Sequence, residues 1–346
     1  LRLTDSTSVA KERVNMQAKE GIIGIDISKD SFDLVLRGTG REQHRVFTND
    51  TKGFKSLVAW VEKQPEQVLH ICMEATGSYW EGVAEYLYQA GYTVSVVNPY
   101  QVKRYADYLL NRNKTDKADA SVIAEFCEKE RERLRVWEPH SPEIKALRSM
   151  ERRFDQLRDM KQQEQNRLKS GVSDPVVIES LQENLKHLED QIKALMKKIK
   201  EHVDQHPDLR EKQNLLTSIP GIGMLTAIKL IAEIGEIEDF ASASQLAAYA
   251  GLAPKQFKSG SSVHKQTRIS KQGRTELRRC LYMPAVVASE HNPIVMDLKR
   301  RMLASGHANM EVIVAAMKKL LHLAYGVLKS GKPFDPDYGK QFCFNP

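Results

Sequence analysis

Cysteine is scarce: the 346 residues contain four, at Cys72, Cys127, Cys280 and Cys343, and none forms a C-x-x-C pair. That spacing excludes a zinc knuckle and the disulfide framework of a small secreted domain, and it suits a reducing compartment. Long apolar runs are missing too. Stretches such as Val94 to Val97 and Val312 to Met317 fall far short of the roughly 20 residues that cross a bilayer as a helix. Residues 1–20 carry charge throughout and lack the apolar centre of a secretory signal. The chain opens on Leu1, and this stretch is read as an extension outside the fold, disordered or foreign to it. Internal repeats and low-complexity tracts are absent, which excludes solenoids and biased linkers. A cytoplasmic protein with no membrane partner is expected.

What is present is positive charge, unevenly placed. Lys and Arg number 52 against 45 Asp and Glu, a net charge of +7. Between residues 255 and 279 stand Lys255, Lys258, Lys265, Arg268, Lys271, Arg274, Arg278 and Arg279 against the single acid Glu276, so this segment alone equals the excess of the whole chain. A concentrated excess of this kind fits a polyphosphate partner, the alternative being an ordinary solvated surface. Hydrophobic residues at 41% are enough for a sizeable core, and the length suggests two domains with a connector at roughly 100–200 residues each.

Patterning divides the chain. Residues 21–135 predict strands over Gly21–Ser28, Ser31–Arg37, Glu42–Phe47, Val68–Met73 and Tyr92–Val97. Helices are predicted over Lys52–Lys63, Ser78–Gln89, Gln101–Leu110 and Asp116–Arg131. This βββαβαβα order favours an α/β domain with a mixed sheet flanked by helices. Residues 141–205 change period. Ile178, Leu181, Leu185, Leu188, Ile192, Leu195 and Ile199 alternate spacings of three and four, and Leu147, Met150, Phe154 and Leu157 begin a similar pattern. That predicts a helical hairpin or coiled coil, with a dimer seam as its functional version and ordinary packing as the other. Residues 206–335 predict a mainly helical domain, with 336–346 as a tail.

Four acids stand out. Asp26 interrupts the apolar strand Gly24-Ile25-Asp26-Ile27-Ser28, where a charge is costly unless it is paired or holds a metal. Glu74 closes the fourth strand. Asp116 and Asp119, three apart, project from one face at the start of a helix. If the first and fourth strands are neighbours, Asp26 and Glu74 converge and the helix brings the other two alongside. Four hard oxygen donors suit Mg²⁺ or Mn²⁺, and two such ions roughly 3.5–4 Å apart serve phosphodiester chemistry. The plainer readings are a helix cap for Asp116 and a lysine partner for Glu74.

Lys258-Ser259-Gly260-Ser261-Ser262 is expected to be a flexible loop inside the cationic segment, where a serine nucleophile would find freedom and positive charge. A plain Gly-Ser turn is the alternative, and chemistry alone does not choose among the three serines. Leu215 to Ile234, with Ile219-Pro220-Gly221-Ile222-Gly223, has the shape of a helix-hairpin-helix in which Gly221 and Gly223 let the backbone approach a phosphate. Lys114, beside the acidic pair, joins Gly221, Gly223 and Lys258, Lys265, Arg268, Lys271, Arg274, Arg278 and Arg279 as candidate nucleic-acid contacts.

Together these motifs are more specific than any one of them. Gly-Ile-Asp-Ile-Ser, Met73-Glu74-Ala75-Thr76-Gly77, Asn113-Lys114-Thr115-Asp116-Lys117-Ala118-Asp119-Ala120, Ile-Pro-Gly-Ile-Gly, and Ala250-Gly251-Leu252-Ala253-Pro254 ahead of Ser-Gly-Ser-Ser occur in one order over residues 20–335. In this the chain resembles the transposases of insertion-sequence family 110, a group that includes Piv-type pilin-gene invertases. The resemblance implies a RuvC-like (RNase H-fold) domain with Asp26, Glu74, Asp116 and Asp119 as a Mg²⁺-binding tetrad (Mn²⁺ being the alternative ion). It also implies a C-terminal transposase domain whose catalytic serine maps to Ser259, and a coiled coil supporting dimers and tetramers. It further implies donor and target DNA as partners, a structured bridge or seeker RNA as guide, a phosphoserine intermediate, and work at the bacterial nucleoid. Three rival readings remain: a RuvC-like junction nuclease without a serine adduct, an actin-like ATPase sharing the first strand motif, and a non-catalytic nucleic-acid scaffold. The ATPase needs a second Gly-rich phosphate loop, and none follows Gly77.

Overall fold

A run as apolar as Gly21 to Ile27 has no face to give to water, and it becomes the central strand of a sheet. The computed structural model describes residues 20–38, 40–75, 77–110, 115–259 and 263–337. The chain divides after Pro139 into two units, each with its own core.

In the first unit the strands are β1 (Glu20–Ile27), β2 (Ser31–Arg37), β3 (Gln43–Thr48), β4 (Gln67–Glu74) and β5 (Val94–Val97), in the spatial order β3-β2-β1-β4-β5. The first three are antiparallel neighbours, and β4 and β5 join β1 in parallel. This is the mixed sheet expected from the pattern, and its strand order is that of the RNase H/RuvC-like fold the resemblance implies. Alternation along β1 separates two faces. Ile23, Ile25 and Ile27 pack with Phe32, Leu34 and Leu36 against α1 (Thr51–Val61) and α2 (Glu81–Gln89). Full burial of an aliphatic side chain contributes about 1.5–3 kcal/mol, so this face alone accounts for much of the unit's cohesion. Ile22, Gly24 and Asp26 turn to the other face, which α4 (Asp116–Glu130) covers after α3 (Pro99–Tyr108).

The second unit is helical but for one hairpin. Its helices are α5 (Pro142–Lys169), α6 (Pro175–Gln205), α7 (Pro207–Thr217), α8 (Met224–Ile234), α9 (Ala243–Tyr249), α10 (Thr275–His291), α11 (Pro293–Ala304) and α12 (Asn309–Ser330). Proline in the first turn and a side-chain cap, Ser141, Asp174 or Asn292, start α5, α6 and α11. α5 and α6 form the expected helical hairpin. Leu188 and Ile199 of its seam are buried, whereas Ile178, Leu181 and Leu185 toward the other end are only half-buried. Lys229 of α8 ties the helices together, bridging Glu151 (3.0 Å) and Asp155 of α5. Burial dominates at Glu151 and pushes its carboxyl up to about 7.

The sequence reading did not include one pair of strands: β6 (Pro254–Ser259) and β7 (Val263–Ile269) are antiparallel neighbours. Lys258 and Ser259 of the expected loop end β6, and residues 260–262 lie outside the described set. Apolar residues are few in both strands, so hydrophobic periodicity gave no sign of them.

Candidate active site and nucleic-acid interface

The acidic face is built by register and by one missing side chain. β1 and β4 run parallel with Ile25 beside Met73, so Asp26 and Glu74, the next residues, close neighbouring strands side by side. Gly24 lies two residues before Asp26 and shares its face. A Cβ on Gly24 would fall 2.2 Å from Ala124 N and 2.3 Å from Ala120 O, so α4 rests directly on the β1 backbone there. One turn back along α4 stand Asp119 and Asp116. Thr115 caps that turn, its hydroxyl accepting from the Ala118 N–H at 3.2 Å, and both acids suit the positive end of the helix.

The four predicted acids are brought within one another's field. Asp26 is half-buried, and its carboxyl is pushed up to about 6 by burial first, and then by Asp119, Glu74, Asp116 and Asp33. The last of these did not stand out in the sequence. Asp33 of β2 lies directly opposite Asp26, and antiparallel partners point to the same face. Its Oδ1 is 2.6 Å from His44 Nε2 of β3. Asn49 fixes the rim: its side-chain amide donates to the carbonyls of Ser28 (3.0 Å) and Tyr79 (3.1 Å), tying the loops that follow β1 and β4.

The residues fit a divalent metal in kind. They are hard oxygen donors, gathered so that ionisation of Asp26 is opposed until a cation offsets the repulsion. Their present spacing is open: among the described residues, no three His, Cys, Asp or Glu side chains stand close enough to enclose an ion.

The expected nucleic-acid contacts separate into groups. Ser259 ends β6, in register with Val263, and Lys255 lies opposite Arg268. The side chains of Ser259, Lys258 and Lys265, and residues Lys114, Ser261 and Ser262 entirely, lie outside the described set, as do the calls on residues 1–19 and 338–346. Arg268 and Lys271 are exposed. Three arginines expected to meet nucleic acid also make contacts within the protein. Arg278 donates to the carbonyls of Ala250 (2.9 Å) and Gly273 (3.0 Å), Arg274 to the Tyr249 hydroxyl (2.9 Å), and Arg279 to Asp159 (2.7 Å). The reason is local: they open α10, and α10 starts against the turn after α9. The two glycines of the helix-hairpin-helix also part company. Gly221, at φ +104°, packs where a Cβ would meet Ala288 Cβ at 2.6 Å, so its role is close packing on α10. Gly223 faces open space at the start of α8.

Residues 23–174 match a family model described as the transposase domain DEDD_Tnp_IS110, and residues 213–300 match one described as Transposase IS116/IS110/IS902 family. The pilin gene-inverting protein of Moraxella bovis is 37% identical over 317 residues, covering 90% of this chain and 97% of its own length. The chain belongs to the IS116/IS110/IS902 transposase family. Membership makes it an enzyme of DNA transposition and recombination. Another relative, the transposase of insertion sequence IS1328 from Yersinia enterocolitica, is 26% identical over 350 residues, 90% of this chain and 98% of that one. Among solved structures, T. thermophilus RuvC in complex with a Holliday junction substrate is similar over 34% of this chain and 99% of its own, at 13% identity and TM-score 0.27. The strand order above, not that likeness, establishes the fold. No helix among the described residues is long and apolar enough to cross a membrane.

Sequence reasoning missed Asp33, His44, Gly24 and Asn49. Asp33 carried a usable signal. A β1–β2 hairpin closed by the turn at Ser28 to Ser31 pairs residues symmetrically about that turn, which places 33 opposite 26.

Proposed function

We propose that this family member cuts and rejoins DNA with two sets of groups: Asp26, Glu74, Asp116 and Asp119 as a carboxylate tetrad for Mg²⁺ or Mn²⁺, and Ser259 as nucleophile. The observation that carries the tetrad is the placement of Glu74, Asp119 and Asp116 around Asp26 by the β1–β4 register and the seating of α4 on Gly24; burial first, and then these acids, push the Asp26 carboxyl up. A divalent ion, when bound, supplies positive charge to the scissile phosphate. The protein's own atoms do the rest. Ser259 Oγ forms a bond to phosphorus as one P–O ester bond of the DNA breaks; the serine proton leaves to solvent or a carboxylate, and the departing sugar oxygen takes one up. The phosphoserine link conserves the ester, so a new strand end can reverse the step and complete exchange. The cationic hairpin favours the phosphate backbone over base edges. That agrees with target choice delegated to base pairing by a structured bridge RNA. The half-buried outer part of the α5–α6 seam is the surface for a homo-oligomer, dimer or tetramer, working in the bacterial cytoplasm at the nucleoid.

The test is a suicide DNA substrate with and without Ser259→Ala. The wild-type chain forms a covalent adduct stable to detergent, and Ser259→Ala forms none and transfers no strand. Continued cutting by Ser259→Ala would establish a RuvC-like hydrolase instead. Asp26→Asn and Glu74→Gln each lose cleavage; full activity in both would end the tetrad reading.

The Moraxella relative supports a second reading with the same chemistry. Its name and 37% identity favour inversion of a DNA segment between two opposed sites over movement of an element. A reporter flanked by inverted copies of the native junction distinguishes them: inversion flips the reporter, whereas transposition removes it.

A further inference from the structure

The α4 side of the sheet holds a row across three strands: Glu74 on β4, Asp26 on β1 and Asp33 on β2. Neighbouring strands lie about 4.8 Å apart, so Asp33 flanks Asp26 on one strand as Glu74 does on the other. Like charges directly opposite each other in an antiparallel pair are unfavourable, and a sheet chosen for stability alone would not keep this one. The Asp33 side chain is largely covered, with 16% of its surface exposed, and His44 on the far strand holds its Oδ1 at 2.6 Å. His44 stands opposite Val35, and Val35 packs against Ala120 and Ala124 of α4, so the imidazole belongs to the α4 side of the sheet. The arrangement resembles an outer carboxylate held by a histidine donor: one oxygen fixed, the other left to the site.

We infer that Asp33 is a fifth carboxylate of the acidic site, presenting Oδ2 beside Asp26, and that His44 is its positioning residue, fixing the rotamer that presents it. This rests on the tetrad being the metal-binding set. Partners that orient ligands from outside the coordination shell change metal affinity by about 10–100-fold when removed. His44 acts through Asp33, and Asp33 sits at the edge of the row, so the lower end of that range applies.

The experiment measures Mn²⁺ binding to the full-length protein without DNA, following free Mn²⁺ by electron paramagnetic resonance, with a thermal melt of each variant as a folding check. Asp33→Asn weakens binding about tenfold and His44→Ala severalfold. His44→Gln, whose amide can still donate to Asp33, stays within about twofold of wild type, a rescue expected of a donor that holds one oxygen. In the double variant Asp33→Asn/His44→Ala, loss of the histidine adds nothing further, because its effect runs through the carboxylate. If Asp33→Asn and His44→Ala bind Mn²⁺ like wild type while Asp26→Asn and Glu74→Gln lose it, the inference fails and the tetrad stands. If Asp26→Asn and Glu74→Gln also bind normally, both fall. Should His44→Ala fail to fold, Asp33→Asn and His44→Gln decide the matter. Additive losses in the double variant would overturn the positioning role.

Discussion

At Asp26 the demands of stability and of the proposed chemistry oppose each other. Its carboxyl is raised from 3.8 to about 6 in the folded chain, so the folded state holds the proton more tightly than the unfolded one. Stability from this group is therefore complete below pH 3.8 and is lost as pH rises through 6. Asp26→Asn removes the penalty. We expect it to stabilise the metal-free protein by about 1–2 kcal/mol at pH 8, after allowance for the residue's partial solvent access, and to change little near pH 4. Urea denaturation at the two pH values checks this; equal effects at both would show that no strained carboxylate is present. Asp26 was legible in the sequence because a lone acid in an apolar strand is costly and invites explanation. Asp33 was legible only through the register that the turn at Ser28 to Ser31 sets, since an acid in an alternating strand otherwise reads as its solvent side.

Among the elements, α4 shows how one residue type sets a geometry. Its buried Ala120 and Ala124 lie flat on Gly24, and this contact fixes where Asp116 and Asp119 stand. Gly24→Ala would drive a Cβ into the backbone of α4. Over-packing of this kind costs roughly 3 kcal/mol, and DNA cleavage should fall with it even where the variant remains folded. A folded variant with normal cleavage would show that the seat of α4 does not govern the site. The strands and helices of the first unit were readable because their apolar residues follow periods of two and 3.6 against a buried centre. Strand β2 was placed at Ser31–Arg37 to the residue. The β6–β7 hairpin was invisible for the converse reason: Lys255 to Ile269 is mainly polar, with Phe257, Val263 and Ile269 too few to set a period, and Gly260 with its serines advertised a loop. The glycines of the helix-hairpin-helix were found, but only packing distinguishes Gly221, pressed on Ala288, from Gly223, open to solvent.

On the scale of the whole molecule, positive charge should appear as salt dependence. Each phosphate contact contributes about 0.9 to the slope of log K against log salt on duplex DNA. Replacing the exposed Arg268 and Lys271 with Gln is expected to lower that slope by about 2 without loss of stability. Arg278→Gln should leave the slope unchanged and reduce the melting temperature, because its guanidinium serves Ala250 and Gly273. Binding isotherms between low and physiological salt separate the two, and a slope that responds to Arg278 alone would reverse the assignment. The two-unit division agrees with the change of pattern near residue 140, where strand alternation gives way to helical spacing. Crowding Lys255, Lys258, Lys265, Arg268 and Lys271 onto or beside a single hairpin leaves little surplus elsewhere. Such a body is electrically lopsided. In the field of a polyanion that segment would be pulled harder than the rest of the chain, and the strand that ends in Ser259 lies within it.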